Sequence, residues 1–329
     1  MHKRTPISVL MTAFNAASFI EEAIHSVLAQ SCRDFEFIIV DDGSTDNTLE
    51  LITSFNDPRI VCLSQENRGI AAALNYGLRE AKGEYIARFD ADDICYPHRF
   101  EKQYQFLQKN RDHIIVGCSV DYIDEHGEFV FTYAPPGFKN EEIQAVKKKT
   151  CPFIHSGVMY RKDIVLKKGG YNEHAHCFED HLLWLAIVEE GKAFNFREPM
   201  IKVRLNPGSV SIDERWRPRA FHRIKTRAIE SQSISVQDGR QLLKIIAGQN
   251  VKEIKEGAYY SLLAKKFLWD NYQPRKARKN LREVISRNWL DWRSYCFFLL
   301  SFLPQGFVQK WYRLIKPQAN YQKTTHGAR

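Results

Sequence analysis

The 329-residue chain has no Cys-x-x-Cys pair, no Gly-x-Gly-x-x-Gly after its first apolar run and no Gly-x-x-x-x-Gly-Lys-Ser/Thr. Each absence excludes a class of chemistry. Seven cysteines, an odd number without paired spacing, argue against a disulfide framework or a zinc site and fit a reducing compartment, so a cytoplasmic location is expected. The missing glycine fingerprints disfavour dinucleotide cofactors and P-loop phosphate chemistry. Met1 to Pro6 lead straight into a strand-like run without an apolar h-region, so no signal peptide is expected. Near the end of the chain, the apolar run Tyr295–Leu303 has nine residues. A membrane-spanning helix needs about 20, so this run is not expected to cross a bilayer.

Hydrophobic residues at 44% and charged residues at 26% fit a folded protein. Against about 100–200 residues per domain, the length predicts one large domain with an extension. Charge marks where they divide. Residues 1–214 hold 24 Lys and Arg against 32 Asp and Glu, a net −8, whereas residues 215–329 hold 24 against 7, a net +17. The two expected domains are therefore 1–214 and 215–329. So basic an extension calls for an acidic partner, either nucleic acid, an anionic membrane surface or the acidic first part of the same chain.

The first 95 residues alternate apolar strands with amphipathic helices. Ile7–Met11 predicts a buried strand. A helix follows in which Ser18 and Glu21 are spaced as a capping box and Ile20, Ile24, Val27 and Leu28 recur at helical intervals. Strand Phe35–Val40, helix Thr48–Phe55, strand Ile60–Leu63, helix Ile70–Ala81, a stop at Gly83 and a strand ending at Asp90 continue the pattern. This alternation predicts parallel strands, right-handed crossovers and helices on both faces, a Rossmann-like α/β sheet. Ligands of such sheets sit beyond the carboxyl ends of the strands, where Thr12–Asn15, Asp41–Asp46 and Asp90–Asp93 all fall.

The last of these loops, Asp90-Ala91-Asp92-Asp93, places three carboxylates within four residues. They repel one another unless a divalent ion or a paired base neutralises them. Mg2+ or Mn2+ is the natural candidate, because both are hard ions that take carboxylate and phosphate oxygens. The alternative is an Asp-rich turn making local hydrogen bonds. A calcium loop does not fit, since Cys95 stands where an EF-hand needs glycine.

Further on, the pattern predicts a helix from Pro97 to about Asn110, a strand Ile114–Cys118 and a hairpin turning at Glu125-His126-Gly127. Lys147-Lys148-Lys149 reads as a solvated face that could also meet a phosphate. His155-Ser156-Gly157-Val158-Met159 forms a polar loop entering an apolar strand. Glu179-Asp180 opens an apolar helix, where carboxylates commonly just complement the helix dipole.

Taken together, Thr-Ala-Phe-Asn, Asp-Asp-Gly-Ser-Thr-Asp, Glu-Asn-Arg-Gly-Ile-Ala, Asp-Ala-Asp-Asp, His-Ser-Gly-Val-Met and Glu-Asp stand in the order found in the inverting glycosyltransferases of family 2. The chain resembles that family from about Ile7 to Ser211. The resemblance implies a mixed Rossmann-like sheet of the nucleotide-diphospho-sugar transferase (GT-A) type with a C-terminal helical extension. It also implies transfer of one sugar from a nucleotide-sugar, either UDP-hexose or UDP-N-acetylhexosamine, to a glycan or lipid-diphosphate-linked acceptor in bacterial surface-polysaccharide assembly. By the same resemblance, Thr12, Phe14 and Asp42 bind the base, with Asn15, Asp41 and Ala91 alongside. Arg68 lies near the diphosphate or base, and Asp90 meets ribose or sugar hydroxyls. Asp92 with Asp93 holds Mn2+ or Mg2+, His155 and Glu179 face the acceptor, and Asp180 is the general base. An imide N–H suits the carboxylate of Asp42 and a planar base suits the ring of Phe14.

Two departures from the family are visible. Asn206 stands where many relatives carry histidine, and no Gln-x-x-Arg-Trp of the processive synthases is present, which points to transfer of a single sugar. A sugar nucleotidyltransferase is the nearest rival, although Thr12–Asn15 lacks the glycine- and basic-rich loop it usually needs. A non-catalytic sugar-nucleotide-binding module is a second rival.

Aromatic residues crowd positions 289–315, flanked by Arg275, Lys276, Arg278, Lys279, Arg282 and Arg287. This composition predicts a peripheral association with anionic membrane, the alternative being a helical subdomain that buries its aromatics on the catalytic sheet. Nucleic acid is not expected, because the aromatics are interleaved with aliphatics.

Overall fold

A computed structural model describes residues 5–208, 217–248 and 252–315. The opening alternation is present. Strands β1 (Ile7–Ala13), β2 (Phe35–Asp41), β3 (Ile60–Ser64) and β4 (Tyr85–Asp90) are linked by helices α1 (Ile20–Leu28), α2 (Thr48–Ser54) and α3 (Ile70–Glu80). β1 pairs in parallel with β2 and β4, and β2 in parallel with β3. Side chains alternate across these strands, so each serves two cores. Val9 and Met11 pack with Ile20, Ile24 and Val27 of α1. Leu10, Ile38 and Ile86 point the other way, among Ala73, Leu74 and Leu78 of α3.

The chain then passes through β5 (Ile94–Cys95), α4 (Arg99–Lys109), the hairpin β6 (His113–Ile123) and β7 (Phe129–Tyr133), α5 (Asn140–Val146), a 3-10 turn at His155–Gly157, β8 (Met159–Arg161), α6 (Lys162–Lys167), α7 (Glu179–Ile187) and β9 (Lys192–Arg204). The nine strands form one mixed sheet ordered β3-β2-β1-β4-β8-β6-β9-β5, with β7 on β6. β8 is antiparallel to both β4 and β6, and β9 is parallel to β6. The parallel half matches the sequence pattern. The mixed half rests on pairings between residues far apart in the chain.

The capping box expected at Ser18 and Glu21 does not form. The helix cap is Phe19, without a side-chain cap bond. Instead the N–H groups of Phe19 and Ile20 both donate to the Ala16 carbonyl, and Ala16 N–H donates to Thr48 Oγ1 at 2.8 Å. A tertiary tie to α2 thus does the work expected of the local cap.

The expected domain boundary at 214/215 lies outside the described residues. Helices α8 (Arg219–Ser231) and α9 (Val236–Gly248) belong to the first of two compact units. There Phe221, Ile224, Ala228, Ile229 and Leu242 bury against Ala175, Phe178, Leu182 and Leu185 around α7. The second unit contains α10 (Lys252–Trp269), α11 (Pro274–Arg287), α12 (Trp292–Leu300) and α13 (Gln305–Ile315). Phe267, Leu268, Ala277, Leu281 and Val308 are buried in this unit, and Trp269 stacks on Tyr312 at 4.8 Å. Among the described residues, no helix is long and apolar enough to cross a membrane.

Candidate functional site

The site of the first unit is gathered at the carboxyl ends of β1, β2 and β4, with the start of α7 and the end of β9 beside them. Phe14, just past β1, is half exposed. Asn15 takes a left-handed backbone (φ 50°), and its Oδ1 accepts from Thr45 N–H (2.8 Å) and Thr45 Oγ1 (3.2 Å), clamping the loop after β1 to the loop after β2. Thr12 is half-buried beside Asp90 in the sheet register.

Asp42 is buried, and its carboxylate accepts from Gln65 Nε2 (2.6 Å), Arg68 N–H (3.0 Å) and Gly69 N–H (2.8 Å). It therefore fastens the loop before α3 to the end of β2. Gly43 is needed there, because at φ 73° a Cβ would lie 2.7 Å from the backbone nitrogen of Asn67. Asp41 is buried too. Its Oδ2 accepts from Ser44 N–H at 3.3 Å, and its Oδ1 has no hydrogen-bond partner among the described residues. The Arg68 side chain is exposed, with its guanidinium 3.9 Å from Glu173.

The Asp cluster divides by role. Asp90 is a third exposed and forms an ion pair with Arg88, which lies fully buried beneath it in β4. Burial works against the Arg88 charge, but Asp90, Tyr171 and Asp93 more than offset it and hold its pKa above the usual value. Ala91 is buried between the acids. Asp92 Oδ2 accepts from Asn206 Nδ2 at 3.1 Å, so the residue in the usual histidine position still reaches the cluster. Burial first, and Asp90 second, push Asp92 up to about 6. Asp93 turns inward. Its two oxygens accept from Ser156 Oγ (2.5 Å) and Arg204 N–H (2.9 Å), tying the turn to β9, and burial with its acidic neighbours raises its pKa well above the carboxylate range.

Glu179 and Asp180 are the first residues of α7, yet they are not surface dipole complements. Glu179 is buried and Asp180 half-buried, and loss of solvent is the main reason each pKa is raised, that of Glu179 to about 8 with Asp180 as the second cause. Glu179 Oε2 makes no hydrogen bond among the described residues. Asp180 Oδ1 accepts from His181 N–H at 2.6 Å, while Oδ2 faces the Cys151 thiol at 3.7 Å. His155 lies within hydrogen-bonding distance of Tyr171 Oη (3.2 Å) and against Trp184. Burial, then Arg88, lowers its pKa well below the usual value, so it is neutral at pH 7. Asp90 and Arg88 both act on Glu179, which places the end of β4 and the start of α7 in one electrostatic neighbourhood.

The structure thus gathers Asp90, Asp92, Glu179, Asp180 and His155 around Arg88. It also gives Asn15, Asp42 and Asp93 internal hydrogen bonds. Sequence reasoning assigned no role to Arg88, Ser156 or Arg204. One signal was available, since a lone arginine inside the buried run Tyr85-Ile86-Ala87-Arg88-Phe89 must have an acidic partner.

Carboxylates gathered at the strand ends of a mixed sheet of this order fit the nucleotide-diphospho-sugar transferase class of fold. Residues 8–168 match glycosyl transferase family 2. The chain is 31% identical over 215 residues to the amylovoran biosynthesis glycosyltransferase AmsE of Erwinia amylovora, spanning 64% of this chain and 80% of AmsE. It belongs to glycosyl transferase family 2 and is a glycosyltransferase. Its fold is shared with residues 1–349 of S. aureus TarS, solved with UDP-GlcNAc (TM-score 0.55, 15% identity, 94% of this chain and 92% of that one). It is likewise shared with the mannosyltransferase PcManGT of Pyrobaculum calidifontis, solved with GDP-Man and Mn2+ (TM-score 0.53, 17% identity, 95% and 89%).

Proposed function

We propose that the protein is a metal-dependent inverting glycosyltransferase. It moves one hexose or N-acetylhexosamine from UDP to a hydroxyl of a glycan or lipid-linked acceptor in polysaccharide assembly of the O-antigen or capsule type. The observation that carries this reading is the gathering of the Asp90–Asp92 cluster and the half-buried Asp180 around one arginine, Arg88. AmsE supports the pathway class by its name, TarS the UDP-sugar, and PcManGT the metal.

Phe14 offers a ring face to the base, and Thr12, Asp41 and Ala91 line its approach, within a frame set by Asn15 and Asp42. Arg68 reaches from the cleft edge toward the diphosphate. Asp90, held by Arg88, accepts from ribose or sugar hydroxyls. The residues present fit a hard divalent ion: burial first, and the Asp90 carboxylate second, push Asp92 toward neutrality, and the two acids offer carboxylate oxygens. Asp92, with Asp90 near it, would hold Mn2+ or Mg2+, and Asp93 positions the turn. When bound, the ion supplies Lewis-acid stabilisation of the departing nucleoside diphosphate.

Asp180 takes the proton from the acceptor hydroxyl as that oxygen bonds to the anomeric carbon. The bond from that carbon to the diphosphate oxygen breaks on the opposite face, its electron pair leaving with UDP. Glu179 and His155 shape the acceptor side.

We also place the protein at the cytoplasmic face of a membrane. Trp292 and Leu299 of α12 are 67% and 69% exposed, and Arg278 lies over the Phe302 ring at 4.5 Å, so apolar side chains and cations share one surface of the second unit. The reading is tested by incubating the protein with a panel of UDP-sugars and Mn2+ without acceptor. Slow release of UDP supports it. Pyrophosphate formation from UTP would make the protein a nucleotidyltransferase, and neither product would leave a binding module.

A further inference from the structure

A cavity of about 280 Å³ opens beside the candidate base. It is lined by the aromatic rings of Tyr122 and Tyr133 from the β6–β7 hairpin, by Phe153 and Cys151, and by the basic residues Lys149 and Lys225. Among the described residues that line it there is no carboxylate. That is unexpected in a domain of net negative charge, and it contrasts with the donor side, where Asp90 and Asp92 crowd together. Of the Lys147–Lys149 run, Lys147 pairs with Glu189 at 3.6 Å, whereas Lys149 reaches the cavity. Lys225 comes from α8, a helix that the charge pattern placed in the extension but that packs beside α7.

The cavity meets Asp180 through Cys151, whose Sγ is 3.7 Å from Asp180 Oδ2 and 3.3 Å from the Phe153 carbonyl. One S–H serves two acceptors, and a thiol is a weak donor, so a hydroxyl arriving from the cavity can replace it at Oδ2. Tyr122 and Tyr133 meet edge to face at 6.3 Å, giving an apolar wall for the C–H face of a sugar ring. The volume lies just below the usual range of about 300–1,000 Å³ for ligand sites, which suits one sugar ring with one charged group rather than a long glycan.

We infer that this cavity is the acceptor subsite and that it selects a sugar carrying a phosphate, with Lys149 and Lys225 binding the phosphate while the sugar hydroxyl meets Asp180. The inference rests on the proposed transferase mechanism and adds to it the cavity and the two lysines that recognise the acceptor. The phosphate could belong to a soluble sugar 1-phosphate or to a lipid-diphosphate-linked sugar.

The test is calorimetric titration of the full-length protein, saturated with UDP and Mn2+, using the 1-phosphates and methyl glycosides of glucose, galactose, mannose and N-acetylglucosamine. At least one 1-phosphate should bind at least tenfold tighter than its methyl glycoside. The double variant Lys149→Gln/Lys225→Gln should lose that preference while its UDP affinity and thermal midpoint stay near wild type, and Lys225→Arg should keep it. A parallel arm with a farnesyl-diphosphate-linked N-acetylglucosamine assigns the source, since tighter binding than the 1-phosphate points to the lipid-linked form and weaker binding to the soluble one. Equal binding of phosphates and glycosides, no phosphate binding, or a preference that survives loss of both lysines overturns the inference. Failure of UDP to bind counts against the proposed function instead, and the cavity is then judged by the same titration of the free protein.

Discussion

Carboxylates of like charge in one cleft cannot all ionise without help, and each of these finds a different solution. Asp90 has Arg88, Asp93 has Ser156 and the Arg204 N–H, and Asp92 accepts from an amide, Asn206, while Arg88 and Arg204 act on it less than burial and Asp90 do. Asp92 is therefore the acid that gains most from a bound cation. Asp92→Ala should reduce transfer on the order of a hundredfold or more, because Lewis-acid stabilisation is worth several kcal/mol, and should weaken UDP-sugar binding in Mn2+. EDTA should mimic the substitution, and full activity in EDTA would return the cluster to a simple turn. Glu179 makes a second prediction, through pH. Its folded pKa of about 8 lies above the ordinary 4.5, so the folded protein binds the proton more tightly than the unfolded chain does. Its contribution to stability is fully present below about pH 4.5 and is lost as pH rises toward 8. Glu179→Gln removes that penalty. In metal-free protein the variant should match wild type in denaturant melts near pH 4.5 and exceed it by up to a few kcal/mol at pH 8. A constant difference across that range would contradict the assignment.

At the scale of elements, the site depends on how closely the parallel strands and their loops approach. Gly83 follows α3 where the chain returns to the sheet, and a Cβ there would lie 2.5 Å from the Ser8 nitrogen and 2.7 Å from the Ile7 carbonyl carbon. Backbone cannot step aside as a side chain can. Gly83→Ala should therefore destabilise the protein by about 1–3 kcal/mol or more, read as a lowered denaturation midpoint with unchanged slope. The four parallel strands and three helices were legible because period-2 and period-3.6 patterns are local properties of short segments. In the mixed half the strand at Ile114–Cys118 and the hairpin at Glu125–Gly127 were legible too, but the strand order was not, since β6 pairs with β9 some 80 residues later and no local pattern encodes that choice. The same limit explains the site. Asp90, Asp92 and Asp180 stood out as carboxylates at element ends, while the inward turn of Asp93 depends on Ser156 and Arg204, which arrive from distant segments. Ser18 and Glu21 had the spacing of a capping box, but Thr48 and Asp46 already hold the preceding turn.

At the scale of the whole molecule, the acidic first part holds the proposed site and the second unit presents aromatic and aliphatic side chains to solvent. If that surface meets anionic lipid, full-length protein should float with phosphatidylserine vesicles at low salt, each basic residue adding on the order of 1 kcal/mol near the surface. Trp292→Ser/Leu299→Ser/Phe302→Ser should stay at the bottom, and three exposed substitutions leave the fold intact. Flotation unchanged by these substitutions would remove the second unit from membrane binding. The central claim, that Asp180 is the base of sugar transfer, is tested most directly by Asp180→Asn with turnover and UDP-sugar affinity measured on the same preparation. Asparagine starts a helix about as well as aspartate, so a purely structural role would cost little. We predict that turnover falls on the order of a hundredfold or more, in the range general-base catalysis supplies, while UDP-sugar affinity in Mn2+ stays within about twofold. Turnover that survives the substitution would contradict the mechanism.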